Sequence, residues 1–249
     1  MPSMPDAMVL CGGAGVRLRS VTGNLPKVMA GVAGRPFLEL LLRQLHRHGF
    51  GRVILAVGYR REIIRAHFGE QTAGLALVYS VESSPLGTGG ALRNAVGLLK
   101  ADSVLVLNGD SYTGVDLSRF VVEHREANAD MSLVVVPTDG RRDCGVVQVD
   151  AKGRVERFEE KKSPCGSEYT NAGIYMLTRT LLDDISPEHP VSLEQDLFPQ
   201  WLERGRRIHA HVFLGKCVDI GTPERFREAQ QSLANIEGGK GMTQGETCL

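Results

Sequence analysis

Short runs of β-branched and aliphatic residues, separated by amphipathic stretches of helical period, limit what this chain can fold into more than any other feature. Residues 7–11, 53–57, 75–80, 104–107 and 131–136 are mostly apolar runs, the pattern of strands buried on both faces. Residues 37–48, 61–68, 90–99 and 117–127 repeat apolar positions at helical spacing, with Leu38, Leu41, Leu42 and Leu45 on one face of the first. This alternation predicts an α/β chain with a Rossmann-like, mostly parallel mixed sheet and helices on both faces. From residue 144 the rhythm shortens, with strands expected at 146–149, 154–158 and 172–177 and helical stretches near 193–204 and 224–234. No internal repeat or low-complexity linker divides the 249 residues, so a single domain over 1–237 is expected, with halves at about 7–143 and 144–237. The ending 238–249 lacks periodicity and is expected to be a disordered tail.

Lys+Arg and Asp+Glu number 29 each, so the formal net charge is zero and no overall field draws in nucleic acid or an anionic membrane. Any anion must be held by a local site. No run of 18 apolar residues occurs, and the start MPSMPDAMVL has neither a basic segment nor a long apolar leader, so a cytoplasmic protein is expected. The cysteines at 11, 144, 165, 217 and 248 form no CxxC pair, which suits reduced thiols better than a disulfide framework or zinc.

The first strand runs into GGAGVRLR, which places Gly12, Gly13 and Gly15 where a parallel strand ends and ligands bind in open α/β sheets. Glycines there let backbone N–H groups approach phosphate oxygens, and Arg17, Arg19 and Lys27 supply countercharge. Standing alone, the same segment is equally a tight strand-to-helix turn with solvated basic side chains. The Walker pattern is absent, and Leu18 stands where GxGxxG needs its third glycine, which disfavours a P-loop or dinucleotide-binding reading.

Taken whole, LCGGAGVRLRSVTGNLPKVMAGVAGRPFLELLL resembles the N-terminal signature of the sugar nucleotidyltransferases, in which GGxGTRL is followed by PK. The resemblance continues through VESSPLGTGGAL at 81–92, LNGDSY at 107–112, FEEKK at 158–162, TNAGIYML at 170–177 and VDIGTPERF at 218–226. Within the family these motifs most resemble the D-glycero-α-D-manno-heptose 1-phosphate guanylyltransferases. Three positions depart from the pattern: Val16 replaces Thr, Val28 follows Lys27 where Pro is common, and Cys144 replaces Tyr.

The resemblance implies a GT-A-like nucleotidyltransferase fold and a Mg2+-dependent reaction. A sugar 1-phosphate oxygen attacks the α-phosphorus of a nucleoside triphosphate, and pyrophosphate leaves. Arg17, Lys27 and Asp110 match the catalytic positions, with Arg17 facing the β and γ phosphates and Lys27 the α-phosphate; Asp110 and Asp219 match the Mg2+ ligands. The nucleotide positions are Leu10, Gly12, Gly13, Gly15, Arg17, Glu82, Leu86, Gly87, Thr88 and Gly109, with Gly89 beside them, the glycines permitting close approach. Gly145, Glu160, Lys161, Asn171 and Gly173 match the sugar-phosphate positions. A carboxylate at Glu82 only accepts hydrogen bonds, which suits the adjacent N1–H and amine of guanine better than uracil or thymine. GTP and a manno-heptose 1-phosphate are therefore the favoured partners, with no nucleic acid and no membrane, and a homo-oligomer is left open. Uridylyl, thymidylyl or mannose-1-phosphate guanylyl transfer are the alternatives, and a sugar-nucleotide sensor is the non-enzyme one. His46, His48, His209 and His211 are expected to be structural or solvated.

Overall fold

The computed structural model describes residues 4–140, 145–160, 168–186 and 190–237. Strands β1 (Asp6–Leu10), β2 (Arg52–Val57), β3 (Leu75–Val81), β4 (Ser103–Asn108), β5 (Ser111–Thr113) and β6 (Met131–Pro137) alternate with helices α1 (Phe37–Arg47), α2 (Arg61–Phe68), α3 (Gly87–Ala95) and α4 (Leu117–Glu126). Then follow β7 (Val146–Val149), β8 (Val155–Glu159), β9 (Tyr169–Thr178), α5 (Arg179–Asp183), α6 (Phe198–Glu203), β10 (Ile208–Val212), β11 (Cys217–Asp219) and α7 (Pro223–Glu237). The main sheet runs β8-β7-β9-β4-β1-β2-β3. Strands β4, β1, β2 and β3 are mutually parallel, β9 enters antiparallel to β4, and β6 pairs antiparallel with β9 and parallel with β10. The expected mixed α/β sheet is therefore present.

Strand periodicity divides the buried residues between two cores. Ala7, Val9, Val53, Leu55, Leu105 and Leu107 face one side, packed with Phe37, Leu41, Ile64, Phe120 and Leu233 from α1, α2, α4 and α7. Met8, Ile54, Ala56, Val104 and Val106 face the other, packed with Leu92, Leu181, Phe198 and Trp201 from α3, α5 and α6. Neighbouring residues of one strand thus enter opposite cores, which explains the near-continuous apolar runs.

Local chemistry accounts for several boundaries. Asp116 caps α4 by accepting from Ser118 N at 2.9 Å and Arg119 N at 3.0 Å. Helix α3 starts at Gly87, three residues before the expected 90, and ends at Ala95 ahead of a 3-10 turn. Gly87, Thr88 and Gly89 carry no apolar side chain, so helical periodicity does not mark them. Tertiary packing sets the start: Gly87 has φ +74, and a Cβ there would lie 2.4 Å from Val191 O. The expected helix over 193–204 is a π turn, Leu193–Leu197, leading into α6. Strands β5 and β11 were not anticipated, since three residues show no period. Among the described residues no helix is long and apolar enough to cross a membrane.

Behind the sheet, His124 is buried and its Nδ1 lies 2.8 Å from Ser132 Oγ. Burial, with Arg125 and His209 adding to it and Asp130 opposing, pushes its pKa down to about 4. The unfolded chain takes up this proton near the ordinary pKa of 6.5 and the folded chain does not. The contribution is whole above about pH 6.5 and is lost as pH falls toward about 4, a change of about 2–3 kcal/mol. Thermal unfolding between pH 7 and 5 should therefore show a shallower fall for His124→Gln than for wild type. Identical slopes would assign the acid sensitivity to other groups.

Candidate active site

The C-terminal ends of β1, β2, β3 and β4 meet at one edge, the ligand-binding edge of a parallel sheet. Gly109 closes β4 onto β1: its N–H donates to Leu10 O at 3.0 Å, and a Cβ there would lie 2.4 Å from that oxygen. The next residue, Asp110, is thereby aimed out of the edge. Lys27 comes from the 3-10 turn Lys27–Met29, and its Nζ pairs with Asp110 Oδ2. Gly15 has φ +58 and a would-be Cβ only 2.8 Å from Lys27 Cβ, so glycine lets the lysine stem pass. Only Gly13, of the three turn glycines, faces open space.

Asp219 reaches the same place through the short antiparallel pair of β5 and β11. It sits opposite Ser111, and Ile220 N donates to Asp110 O at 3.0 Å. Asp219 Oδ1 accepts from Gly221 N at 2.8 Å and Arg225 Nη1 at 3.2 Å. The point a Cβ would occupy on Gly221 is 2.8 Å from Asp219 Oδ1 and 3.9 Å from Lys27 Nζ, so both aspartates and the lysine border one small volume. Burial pushes the Asp110 carboxyl up, but the Lys27 ammonium and hydrogen bonds from Lys27 and Ser111 outweigh it and hold it below the usual value. Among the described residues no three or more His, Cys, Asp or Glu side chains are grouped so that they could hold a metal ion. Two carboxylates with no nitrogen or sulfur donor suit a hard cation that keeps water and phosphate ligands, and not zinc. Cys11 lies under the site as a buried thiol; burial, with Asp110 and Glu82 adding to it, raises its pKa, so it stays protonated and is no nucleophile.

A cleft of about 1110 Å³ opens beside this volume. Of the residues singled out from sequence, Arg17, Thr88, Asp110, Gly145, Glu160, Asn171, Gly173 and Asp219 line it, and Lys27 adjoins it through Asp110. Arg17 is exposed, and Val16 beside it is 66% exposed, so the Thr-to-Val departure disturbs no core contact. Val28 is buried, with Cγ1 2.9 Å from the would-be Cβ of Gly109, and takes the place of Pro as packing. On the wall formed by β7 to β9, Asn171 N donates to Gly145 O at 2.8 Å, and Glu160 Oε2 lies 2.8 Å from the would-be Cβ of Gly145. Lys161 and Cys144 lie outside the described residues, as do Cys165, Cys248 and the tail at 238–249.

Leu10, Gly12, Gly13, Gly15, Glu82, Leu86, Gly87 and Gly109 are not in that lining. Glu82 is buried against the strand edge, its Oε2 accepting from Leu86 N at 3.3 Å and its Oε1 2.6 Å from the would-be Cβ of Gly12. Burial raises its pKa, and the Leu86 N–H only partly offsets that. At Gly87 and Gly89 the close approach is made by the chain itself: Gly89 N donates to Val191 O at 2.9 Å, and a Cβ on Gly89 would lie 2.6 Å from Leu197 Cδ1. Ser192, Glu194, Gln195 and Arg225 also line the cleft and were missed. The first three carry no motif, and Arg225 sits inside VDIGTPERF without a local signal that it would meet Asp219.

The chain matches the family model described as Nucleotidyl transferase over residues 6–236. It is 40% identical over 230 residues to a mannose-1-phosphate guanylyltransferase from Mycobacterium tuberculosis, spanning 92% of this chain but 64% of that relative. It is 34% identical over 229 residues to the D-glycero-alpha-D-manno-heptose 1-phosphate guanylyltransferase of Aneurinibacillus thermoaerophilus, spanning 92% of this chain and 98% of the relative. HddC from Yersinia pseudotuberculosis superposes with a TM-score of 0.81 at 31% identity, covering 92% of this chain and 100% of HddC, and that protein has also been solved complexed with GMP-PN. With its motifs, its fold and the full span of the match in agreement, this chain belongs to the nucleotidyl transferase family.

Proposed function

We propose that this chain transfers a guanylyl group from GTP to a manno-configured sugar 1-phosphate, releasing pyrophosphate, with Mg2+ held by Asp110 and Asp219. The observation that carries the proposal is the convergence of Lys27, Asp110 and Asp219 at the sheet edge beside the turn at 12–15. Two polyanions must be brought together, and the protein's work is to neutralise and align them. In the free chain Lys27 and Asp110 neutralise each other. A phosphate beside Lys27 and a cation beside Asp110 exchange both partners at once, so neither charge is left bare. Bound Mg2+ supplies countercharge to the phosphate oxygens. Lys27 faces the α-phosphate, and Arg17, exposed in the cleft, faces the departing pyrophosphate. Glu160 and Asn171 hold sugar hydroxyls, and Thr88 serves the nucleotide side.

Both named relatives act on manno-configured substrates, and the heptose form is favoured here on the motifs. The test is pyrophosphate release over a grid of five nucleoside triphosphates against manno-heptose, mannose and glucose 1-phosphates. Release should require both substrates, with GTP above UTP and dTTP. Glu82→Gln should weaken the preference for GTP by about tenfold, because an acceptor oxygen becomes a donor. Equal release with a nucleotide alone would defeat the proposal, and a preference of about tenfold for UTP or dTTP would overturn its guanylyl part.

A further inference from the structure

One carboxylate outside the motifs joins the two walls of the cleft. Glu194 lies in the π turn Leu193–Leu197, a geometry that recurs at functional sites. Its Oε2 accepts from Thr88 Oγ1 at 2.7 Å and from Ser192 Oγ at 3.2 Å, and its Oε1 accepts from Tyr175 OH at 3.1 Å. Thr88 Oγ1 in turn accepts from Leu193 N at 2.7 Å. On the far side the Tyr175 oxygen accepts from Asn171 Nδ2 at 2.7 Å, and Asn171 Oδ1 accepts from Gly173 N at 3.0 Å. The chain Thr88, Glu194, Tyr175, Asn171 is therefore continuous.

We infer that Glu194 is a positioning residue that couples the nucleotide side of the cleft, at Thr88, to the sugar side, at Asn171, so that ordering one side orders the other. The inference rests on the assignment of those two sides made above. A carboxylate suits the task because it has no proton of its own: Thr88 and Tyr175 must both donate to it, which turns their lone pairs toward their other neighbours. Fixing the Tyr175 oxygen fixes the Asn171 amide, whose two ends are both engaged. If Tyr175 turned away, Oε1 of the half-buried carboxylate would lose its donor, and if Thr88 did, Oε2 would keep only the longer bond from Ser192 Oγ at 3.2 Å; such networks act as a unit rather than as separate pairs. The turn carrying Glu194 is itself pinned to the nucleotide side, since Val191 N donates to Leu86 O at 2.9 Å and Val191 O accepts from Gly89 N at 2.9 Å.

The test is steady-state kinetics on the full chain with Glu194→Gln, Tyr175→Phe and the double variant, with thermal unfolding recorded for each. Tyr175→Phe removes one oxygen on the sugar side, yet it should raise KM for GTP by about fivefold as well as KM for the sugar 1-phosphate. Glu194→Gln should raise both by about tenfold with a smaller change in kcat, and the double variant should match Glu194→Gln alone. From the other end, Thr88→Val should raise KM for the sugar 1-phosphate and Thr88→Ser should not, which keeps the test sound if a Glu194 variant folds poorly. The coupling is overturned if Tyr175→Phe changes only the sugar KM, or if the single effects multiply in the double variant. Wild-type chain with no transfer on any substrate pair would instead strike the assignment of the two sides.

Discussion

With Lys27 replaced by methionine, turnover at saturating substrates should fall by about 10²-fold or more, as expected for loss of one preorganised charge at a centre that gathers anions. Methionine keeps the length and most of the volume of the stem, which passes 2.8 Å from the would-be Cβ of Gly15, so the turn at 12–15 should keep its shape. The ammonium is removed from beside Asp110, whose side chain is 37% exposed and can recover water. Loss of this part-buried pair should also cost stability, which the thermal unfolding control separates from the loss of rate. KM for GTP should change less than kcat if Lys27 acts mainly on the α-phosphate as charge develops there. Lys27→Arg should recover little, since a planar guanidinium does not reproduce a compact ammonium at a fixed stem. Rapid-mix measurement of the first turnover, with thermal unfolding as control, checks this. Wild-type kinetics in a folded Lys27→Met variant would take the lysine out of the mechanism.

Asp110→Asn and Asp219→Asn should each lower turnover by about 10²-fold or more while leaving the fold intact. Each change keeps the shape of the side chain. At position 110 an amide oxygen can still accept from Lys27, and at position 219 one can still accept from Gly221 N and Arg225. What is lost is one negative charge of the two that would orient a divalent cation against the α-phosphate. Each aspartate already faces a cation, Lys27 or Arg225, so metal affinity in the absence of nucleotide should be weak and the dependence on Mg2+ should appear chiefly in the rate. Initial rate against Mg2+ concentration for wild type and both variants is the measurement. Mn2+, which accepts similar oxygen ligands, should partly restore either variant. Full activity in EDTA, or wild-type metal dependence in both variants, would make the two aspartates structural turn residues.

The central strands and the helices packed on them were legible because their signals are local. In β1, β2 and β4 each second residue enters a different core, which writes a continuous apolar run into the sequence, and the helices show one apolar face. Asp110, two residues past the end of β4, and Lys27, beside the glycine turn, were singled out by their match to the family's motifs. The errors fall where the local signal and the tertiary contact disagree. The first residues of α3, Gly87 to Gly89, show no apolar period, and their place is set by Val191, which leaves no room for a side chain at Gly87. The same packing shows that a side chain at Gly87 or Gly89 would meet Val191, a contact with no local signal in the sequence.

By itself, the sequence determined the α/β class and the order of the central strands and their helices, because periodicity is a property of neighbouring residues, and its resemblance to the family singled out the charged groups at the sheet edge. Only the tertiary structure decided that Asp219 lies opposite Ser111 and borders the same volume as Lys27, since a three-residue strand pair has no period to announce it. It also decided that Arg225 faces Asp219 and that Glu194 bridges Thr88 and Tyr175. Those contacts are set by how α7 and the turn at 193–197 pack against strands far away in the chain. A side chain's partners across such a distance follow from the register of the whole sheet and leave no trace in the residues beside it.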